Sequence, residues 1–383
     1  MSALDDLAVP AGDDDHVAGV PAHLVAAPAD TAQAAALVAA ARDLHVVIRG
    51  GGTKLHWGPP PRALDLIIDT RRLTGVVEHA AGDLITVVRA GTPMSRLHRL
   101  PGQQLALDAP DGATAGGTVA ANASGPRRLR YGTARDLLIG ITVIRPDGVV
   151  TRSGGKVVKN VAGYDLGKLY TGAFGTLGLI TECVFRLHPE PAAHSFVRAK
   201  APPGQAARVL AAQPAASALE VHAVPGADPE LAVLLEGTPA GVRDRSAEMA
   251  RLLDGEVSAD PPPWWGAMPP GDVTVKLTGV LSQVPALVAT AVGAGATVSG
   301  SAGAGVLHAG FPADGGDPHA RVALLRAAAV RAGGHAVVLT APDGVRPALD
   351  MWGPVPGLAL MRRVKDRFDP GHRFAPGRFV GGI

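Results

Sequence analysis

VVIRGGGTKLHWG, residues Val46 to Gly58, is the stretch on which the fold turns. Val46, Val47 and Ile48 are β-branched and predict a short buried strand that stops at Arg49-Gly50-Gly51-Gly52-Thr53-Lys54. Glycine loses more backbone freedom on folding than any other residue. Three in a row past a strand therefore point to positive φ, or to another group pressed against bare backbone. Bare backbone exposes N–H donors, and successive donors in such a turn make a concave nest for an anion, here flanked by the positive charges of Arg49 and Lys54. A phosphate ester suits that nest. A Gly-rich turn with no ligand accounts for this stretch alone equally well, so the rest of the chain must decide.

Working outward, 383 residues exceed the usual single-domain size and imply two cores. With 47% hydrophobic and 18% charged residues the chain is globular rather than disordered, and 49 Gly and 33 Pro imply many turns. The net charge of +2 offers no field for a nucleic-acid backbone, and the Arg127-Arg128-Leu129-Arg130 cluster reads as a solvated loop. Cys183 is the only cysteine, which leaves no internal disulfide and no cysteine-ligated zinc or iron–sulfur centre among these residues. Cysteine usage, the acidic MSALDDLAVPAGDDDH start and the lack of a long apolar run predict a cytoplasmic protein without a signal peptide, reaching a membrane only through partners.

In chain order, residues 1–20 read as a flexible acidic lead, and Asp30 or Thr31 caps a helix over AQAAALVAAARDL that feeds the opening strand. Strands are expected at 64–68, 75–79 and 84–90, and Thr92-Pro93 starts a helix through Leu100. The run Gly116-Gly117-Thr118-Val119-Ala120-Ala121-Asn122-Ala123-Ser124-Gly125 opens a helix near Gly116 and lets a backbone approach something closely. Pro146-Asp147-Gly148 marks a hairpin, and Gly175 to Gly178 a turn. Past Pro189-Glu190-Pro191, two rounds of strand and helix suit an antiparallel sheet covered by helices on one side, with Asp260-Pro261-Pro262-Pro263-Trp264-Trp265 between the rounds.

Common nucleotide signatures are missing. Leu55 stands where GxGxxG needs its last glycine, Val157 and Leu169 follow the Gly-Lys pairs where a Walker loop needs Ser or Thr, and neither HExxH nor GxSxG occurs. The exact strings IRGGGTK (48–54), DGATAGGTVAANASG (111–125), KNVAGYDLGKLYTGAFGTLGLITE (159–182) and the tail Lys365 to Pro370 followed by PGR instead resemble the vanillyl-alcohol-oxidase-type FAD-binding family, in its branch of glycolate oxidase and D-lactate dehydrogenase flavoproteins. The resemblance implies an α+β fold: a two-subdomain FAD-binding domain of PCMH type over 21–190, a ferredoxin-like cap with an antiparallel sheet over 191–345, and a segment, 346–383, returning to the first domain. It also implies that Arg49, Gly50, Gly51, Gly52, Thr53 and Lys54 hold the pyrophosphate of FAD. Asp111, Thr114, Gly116, Gly117, Asn122, Ser124 and Gly125 would line the ring and ribityl chain. Gly175, Thr176, Gly178 and Ile180 would reach the ribityl or adenine end, with Arg378 closing the site from behind.

Relatives that link the flavin covalently often carry His at the position of Thr53, so FAD is expected to be noncovalent. Metal-using relatives carry a His-Gly-Asp-Gly-Asn-type segment in the cap, and the nearest string, Leu307-His308-Ala309-Gly310, lacks the carboxylate and second His, so no metal is expected. Tyr164, Lys168 and His308 are the ionisable candidates for catalysis, with Tyr164 first. The resemblance implies a subunit that takes part in oxidising glycolate or a D-lactate-like 2-hydroxy acid, partnered by a larger FAD-containing paralogue and an iron–sulfur subunit. A stand-alone FAD oxidase of an alcohol or sugar, or a noncatalytic scaffold, are the alternatives.

Overall fold

The structure, a computed structural model, describes residues 3–98, 100–157 and 163–383. Lys159 to Ala162, the start of the third string, lie outside the described residues. The chain forms two compact units, one from 1–124, 133–190 and 354–383 and the other from 125–132 and 191–353.

The first unit contains two main sheets. Strands β1 (Ala8–Pro10), β2 (Leu24–Ala26), β3 (Val46–Arg49) and β4 (Leu66–Asp69) form one in the order β1-β2-β4-β3, with β2, β4 and β3 parallel. Its strands are short apolar runs because the helix Thr31–Ala40 covers it, burying Ala34, Leu37 and Val38 in one cluster with Leu66 and Ile68. Asp30 caps that helix by accepting from Gln33 N–H at 2.8 Å. Strands β5 (Val76–Ala80), β6 (Ile85–Arg89), β7 (Leu138–Ile144), β8 (Val150–Gly154) and β9 (Leu179–Arg186) form the other sheet, antiparallel in the order β8-β7-β9-β6-β5. The helix expected from Thr92 to Leu100 is only a 3-10 turn over Met94–Arg96.

The acidic lead is not frayed. Residues Ala3–Leu7 are helical, β1 pairs with β2, and Val17 is fully buried in a cluster with Val47, Ile67 and Ala375. Apolar residues spaced through an acidic stretch supply the burial that its net charge conceals.

The second unit is one fold used twice. Strands β10 (Ala193–Lys200), β11 (Ala218–Ala223), β12 (Glu230–Gly237) and β13 (Glu256–Ser258), with helices Gln205–Ala211 and Pro239–Leu253, make a βαββαβ module. Strands β14 (Val273–Thr278), β15 (Thr297–Ser301), β16 (Val306–Phe311) and β17 (Ala336–Thr340), with helices Val284–Gly293 and Pro318–Arg331, make another. The eight strands form one sheet, β13-β10-β12-β11-β15-β16-β14-β17, joined where the second strand of each module meets the other. Alternate residues such as Val221, Val233, Val275 and Leu307 form the helix-covered core.

The division differs from the expected one at two places. Residues 125–132 sit with the second unit because Tyr131 donates to Glu236 at 2.9 Å and Arg130 to the Glu236 carbonyl at 3.4 Å. Residues 346–353 stay there too, since Val338 N–H donates to the Met351 carbonyl at 2.7 Å and Leu349 and Met351 are buried in that core.

Candidate functional site

A cleft wholly inside the first unit gathers the Gly-rich strings. About 800 Å³ of space, open solvent included, lies between its walls. Gly50, Gly51, Gly52, Thr53 and Lys54 form one wall, Thr114, Gly116 and Gly117 another, Gly175, Gly178 and Ile180 a third, and Arg378 comes from the tail.

Each wall has its own physical cause. Gly52 takes φ +76°, and a Cβ there would meet nothing within 4 Å, so it opens the loop toward the cleft. Gly51 is glycine for another reason: a Cβ there would lie 1.7 Å from the Gly112 carbonyl oxygen. The group pressed against this bare backbone is thus the second Gly-rich loop. Among the described residues the N–H groups of Gly51, Gly52, Thr53 and Lys54 donate to no protein acceptor, and they remain available to an anion.

In the second wall, Thr114 caps the helix Ala115–Ala120, accepting from Gly117 N–H at 3.4 Å. The next donors are already used: Ala115 N–H bonds the Thr92 carbonyl at 2.9 Å and Gly116 N–H the Ala90 carbonyl at 2.7 Å. A Cβ on Gly116 would lie 2.7 Å from the Ala90 Cβ, so the close approach inferred for this run is in part that of strand β6 and the turn after it. The third wall is strapped to the helix by Phe174 N–H to the Ala120 carbonyl at 2.9 Å and is held from behind by Lys365. Buried Lys365 donates to the carbonyls of Thr176 and Phe374 and to Asp369, at 2.7, 2.8 and 2.7 Å, which uses all three of its protons.

Several expected residues lie off the cleft. Arg49 does not offer its charge to the nest, because its guanidinium bonds Asp15 at 2.7 Å and Asp69 at 3.0 Å. Asp111 is exposed, as expected of a turn residue preceding the cap. Asn122, at φ +45°, accepts from Arg135 N–H at 3.2 Å and holds a loop. Thr176 is buried with its hydroxyl on the Ala173 carbonyl, Ser124 is outside the lining, and the Gly125 carbonyl accepts from Arg128 in the second unit. Tyr164 is 91% exposed and outside the lining, and Lys168 bonds the carbonyls of Arg135 and Leu138. Residues the sequence reading missed are apolar or small: Val47, Ile48, Leu55, Thr70, Ala90, Ala120, Ala121 and Phe174. Phe174 takes φ +55° before Gly175 at φ +73°, a tight loop for which the neighbouring glycine is the one signal in the sequence.

Lys54 is the charged group in the glycine wall. It lies 5.3 Å from the Trp57 ring, and loss of water pushes its pKa down to about 8. Arg378, 3% exposed, donates to the carbonyls of Trp57 and Pro59 at 3.0 and 3.1 Å, tying the tail to the loop that follows Lys54.

A second polar arrangement lies in the second unit, on the sheet face opposite the helices. Pairing register puts His222, Ser299, His308 and Lys276 in one row across β11, β15, β16 and β14. His222 and Ser299 are hydrogen-bonded at 2.8 Å, and Trp264 of the linker stacks on His222 at 5.1 Å. Lys276 has neither a hydrogen bond nor an ion pair among the described residues. Desolvation, then Arg128, lowers its pKa to about 8; desolvation, then Lys276 and Arg128, lowers that of His308 to about 3. His308 is therefore neutral at physiological pH. Among the described residues no group of three His, Cys, Asp or Glu could hold a metal, and no helix is long and apolar enough to cross a membrane.

The family model described as "FAD binding domain" matches residues 22–154. The chain is 37% identical to glycolate oxidase subunit GlcE of Escherichia coli (strain K12), over 40% of this chain and 45% of that protein. It is 35% identical to glycolate oxidase subunit GlcD of Bacillus subtilis (strain 168), over 38% of this chain and 32% of that one. A D-lactate dehydrogenase of Archaeoglobus fulgidus is 32% identical over 44% and 39%. The chain thus spans less than half the length of these relatives. In fold, it is similar to p-cresol methylhydroxylase with a TM-score of 0.71 at 15% identity, over 98% of this chain and 94% of that one. Alkyldihydroxyacetonephosphate synthase gives 0.67 at 16%, over 92% and 76%.

Proposed function

For a chain whose residues 22–154 match the FAD binding domain model, we propose the role of FAD-binding subunit in a complex that oxidises glycolate or a D-lactate-like 2-hydroxy acid. The observation that carries this reading is the unsatisfied N–H surface of Gly51 to Lys54, set in a cleft of small residues beside Lys54. Such a wall admits a flat ring and meets phosphates through backbone. Bound FAD supplies a two-electron acceptor. The chain's own residues do the holding: Gly51 to Lys54 at the phosphates and Gly116, Gly117, Gly175 and Gly178 along the flat part, with Thr53 in place of the His that would link the flavin covalently.

Lys276 and neutral His308 on the second unit's sheet, with Arg128 from the 125–132 segment of the same unit, supply what a small hydroxy acid needs. Two cations attract its carboxylate, and the neutral imidazole of His308, whose charged form they disfavour, can hydrogen-bond its hydroxyl. The relatives' names support the substrate class. Cys183 is the single cysteine of these 383 residues and is fully buried, so an iron–sulfur relay for electrons leaving the flavin one at a time would lie outside them. A larger flavoprotein paralogue and an iron–sulfur subunit are the proposed partners.

An absorption spectrum of the purified chain, taken without oxygen before and after glycolate or D-lactate, tests the reading. A yellow protein that glycolate bleaches in the complex supports it. A colourless protein would sink it in favour of a scaffold, and peroxide formation by the isolated chain in favour of a stand-alone oxidase.

A further inference from the structure

Arg49 was expected to lend charge to the anion nest, yet four groups beside the loop cancel one another. Asp15 Oδ1 accepts from Arg49 Nη1 at 2.7 Å, and Asp69 Oδ2 accepts from Arg49 Nε at 3.1 Å and from Arg71 Nη2 at 2.6 Å. Two carboxylates face two guanidinium groups, so the cluster adds no net charge. Its geometry fixes the start of the loop from two sides: the Arg49 side chain is gripped by Asp15 and Asp69, and its carbonyl accepts from the hydroxyl of Thr70, a residue of the cleft wall, at 3.1 Å. Asp15 is itself held, accepting from Gly12 N–H at 2.9 Å while its carbonyl accepts from Ala22 N–H at 2.8 Å. Two residues on, Val17 is packed in one cluster with Val47, which lines the cleft.

We infer that Asp15 is a positioning residue for the cleft: through Arg49 it sets the conformation in which Gly50 to Lys54 present their N–H groups, which makes the acidic lead part of the cofactor site's frame. The inference rests on the reading of the cleft as an FAD site. It opposes a simple charge argument. Removing the Asp15 carboxylate leaves a net positive charge beside an anion site, which on Coulombic grounds tightens binding. Loosening the loop weakens it, because donors that are not preorganised must be ordered on binding.

FAD affinity of the cofactor-free protein, measured by flavin fluorescence for the unaltered chain, Asp15→Asn and Asp15→Glu, separates the two. Asp15→Asn is expected to bind about tenfold more weakly, the scale of one lost charge-assisted hydrogen bond, and Asp15→Glu to regain most of the loss. Unchanged or tighter binding by Asp15→Asn overturns the inference, as does a fall in the melting temperature of the cofactor-free protein with unchanged affinity, which marks a purely structural role. If Asp15→Asn does not fold, Arg49→Lys decides, since it keeps the charge and loses the two-sided grip: weaker FAD binding supports the inference and equal binding overturns it. If the unaltered chain takes up no FAD, the cofactor reading itself has failed.

Discussion

On the proposed reading, the cleft of the first unit and the polar sheet face of the second are two different answers to recognising an anion. Beside the cleft Arg49 is spent on Asp15 and Asp69, and apart from Lys54 and Arg378 the lining offers backbone and small or apolar side chains. On the sheet face the backbone is spent on strand pairing, and the surface offered is side-chain charge, with Lys276 and Arg128 around a neutral His308. Backbone donors in a fixed loop suit a large ligand that stays bound, whose shape does much of the recognition. Side-chain charge such as that of Lys276 suits a small ligand that arrives and leaves. If the comparison is right, the two regions should fail differently when altered.

The largest effect is expected from Gly51→Ala set beside Gly117→Asp. A Cβ on Gly51 would lie 1.7 Å from a backbone oxygen, whereas a Cβ on Gly117 meets only the Thr114 hydroxyl at 3.1 Å. Gly51→Ala should lose both flavin and fold, by the several kcal/mol of a severe overpacking. Gly117→Asp should keep its circular dichroism and lose only the flavin, because it places a carboxylate in the cleft. A Gly117→Asp protein that purifies yellow would show that the anion lies elsewhere.

Next in size, Lys276→Met should leave the flavin spectrum and FAD affinity unchanged. In the assembled complex it should raise KM for the hydroxy acid about 100-fold, the scale of truncating one partner of a desolvated charge pair. An equal loss of FAD affinity would mean that the two regions are not chemically separate.

These contrasts show what was legible in the sequence. Gly-rich strings between short apolar strands revealed the cleft, because glycine at a crowded or positive-φ position has no substitute. The two rounds of strand and helix in the second unit were readable, whereas the strands at 193–200, 256–258 and 297–301 were not named. Pairings across long separations were not readable. Asp15 looked solvated because its partner, Arg49, lies 34 residues away, and Arg127 to Arg130 looked like a free loop because the acceptors of Arg130 are at 217 and 236. Tyr164 was singled out by chemistry alone, and exposure removes it from the cleft. Lys276 carried no signal at all: its meaning comes from the residues paired beside it.

Lys54 gives a smaller, pH-dependent effect. Desolvation lowers its pKa to about 8 in the cofactor-free protein, so it is charged below that pH and neutral above it. A bound diphosphate favours the charged form and raises the pKa, so binding above pH 8 takes up a proton. FAD affinity should be flat below pH 8 and fall by up to about tenfold per pH unit above it, until the pKa of the complex is reached. Titrations at several pH values should show this bend, and Lys54→Met should remove it. A bend that survives in Lys54→Met would assign it to another group.

The smallest expected effect confines itself to the second unit and is a stabilisation. Asp254 follows the helix Pro239–Leu253 in the left-handed region, at φ +53°, with its N–H on the Ala250 carbonyl, and it is exposed. A side chain with a Cβ is strained there, and a carboxylate at a helix C-terminus meets the negative end of the helix dipole. Glycine relieves both, against the extra freedom it gives the unfolded chain. Asp254→Gly should therefore gain about 1 kcal/mol, or about 2–4 °C in melting temperature for a unit of this size. Nothing about Asp254 touches the cleft, so FAD affinity should stay within error of the unaltered chain. Calorimetry together with a flavin titration checks both halves: a lower melting temperature would refute the strain argument, and a shifted FAD affinity would break the separation between a cofactor cleft held by backbone and a sheet that works by charge.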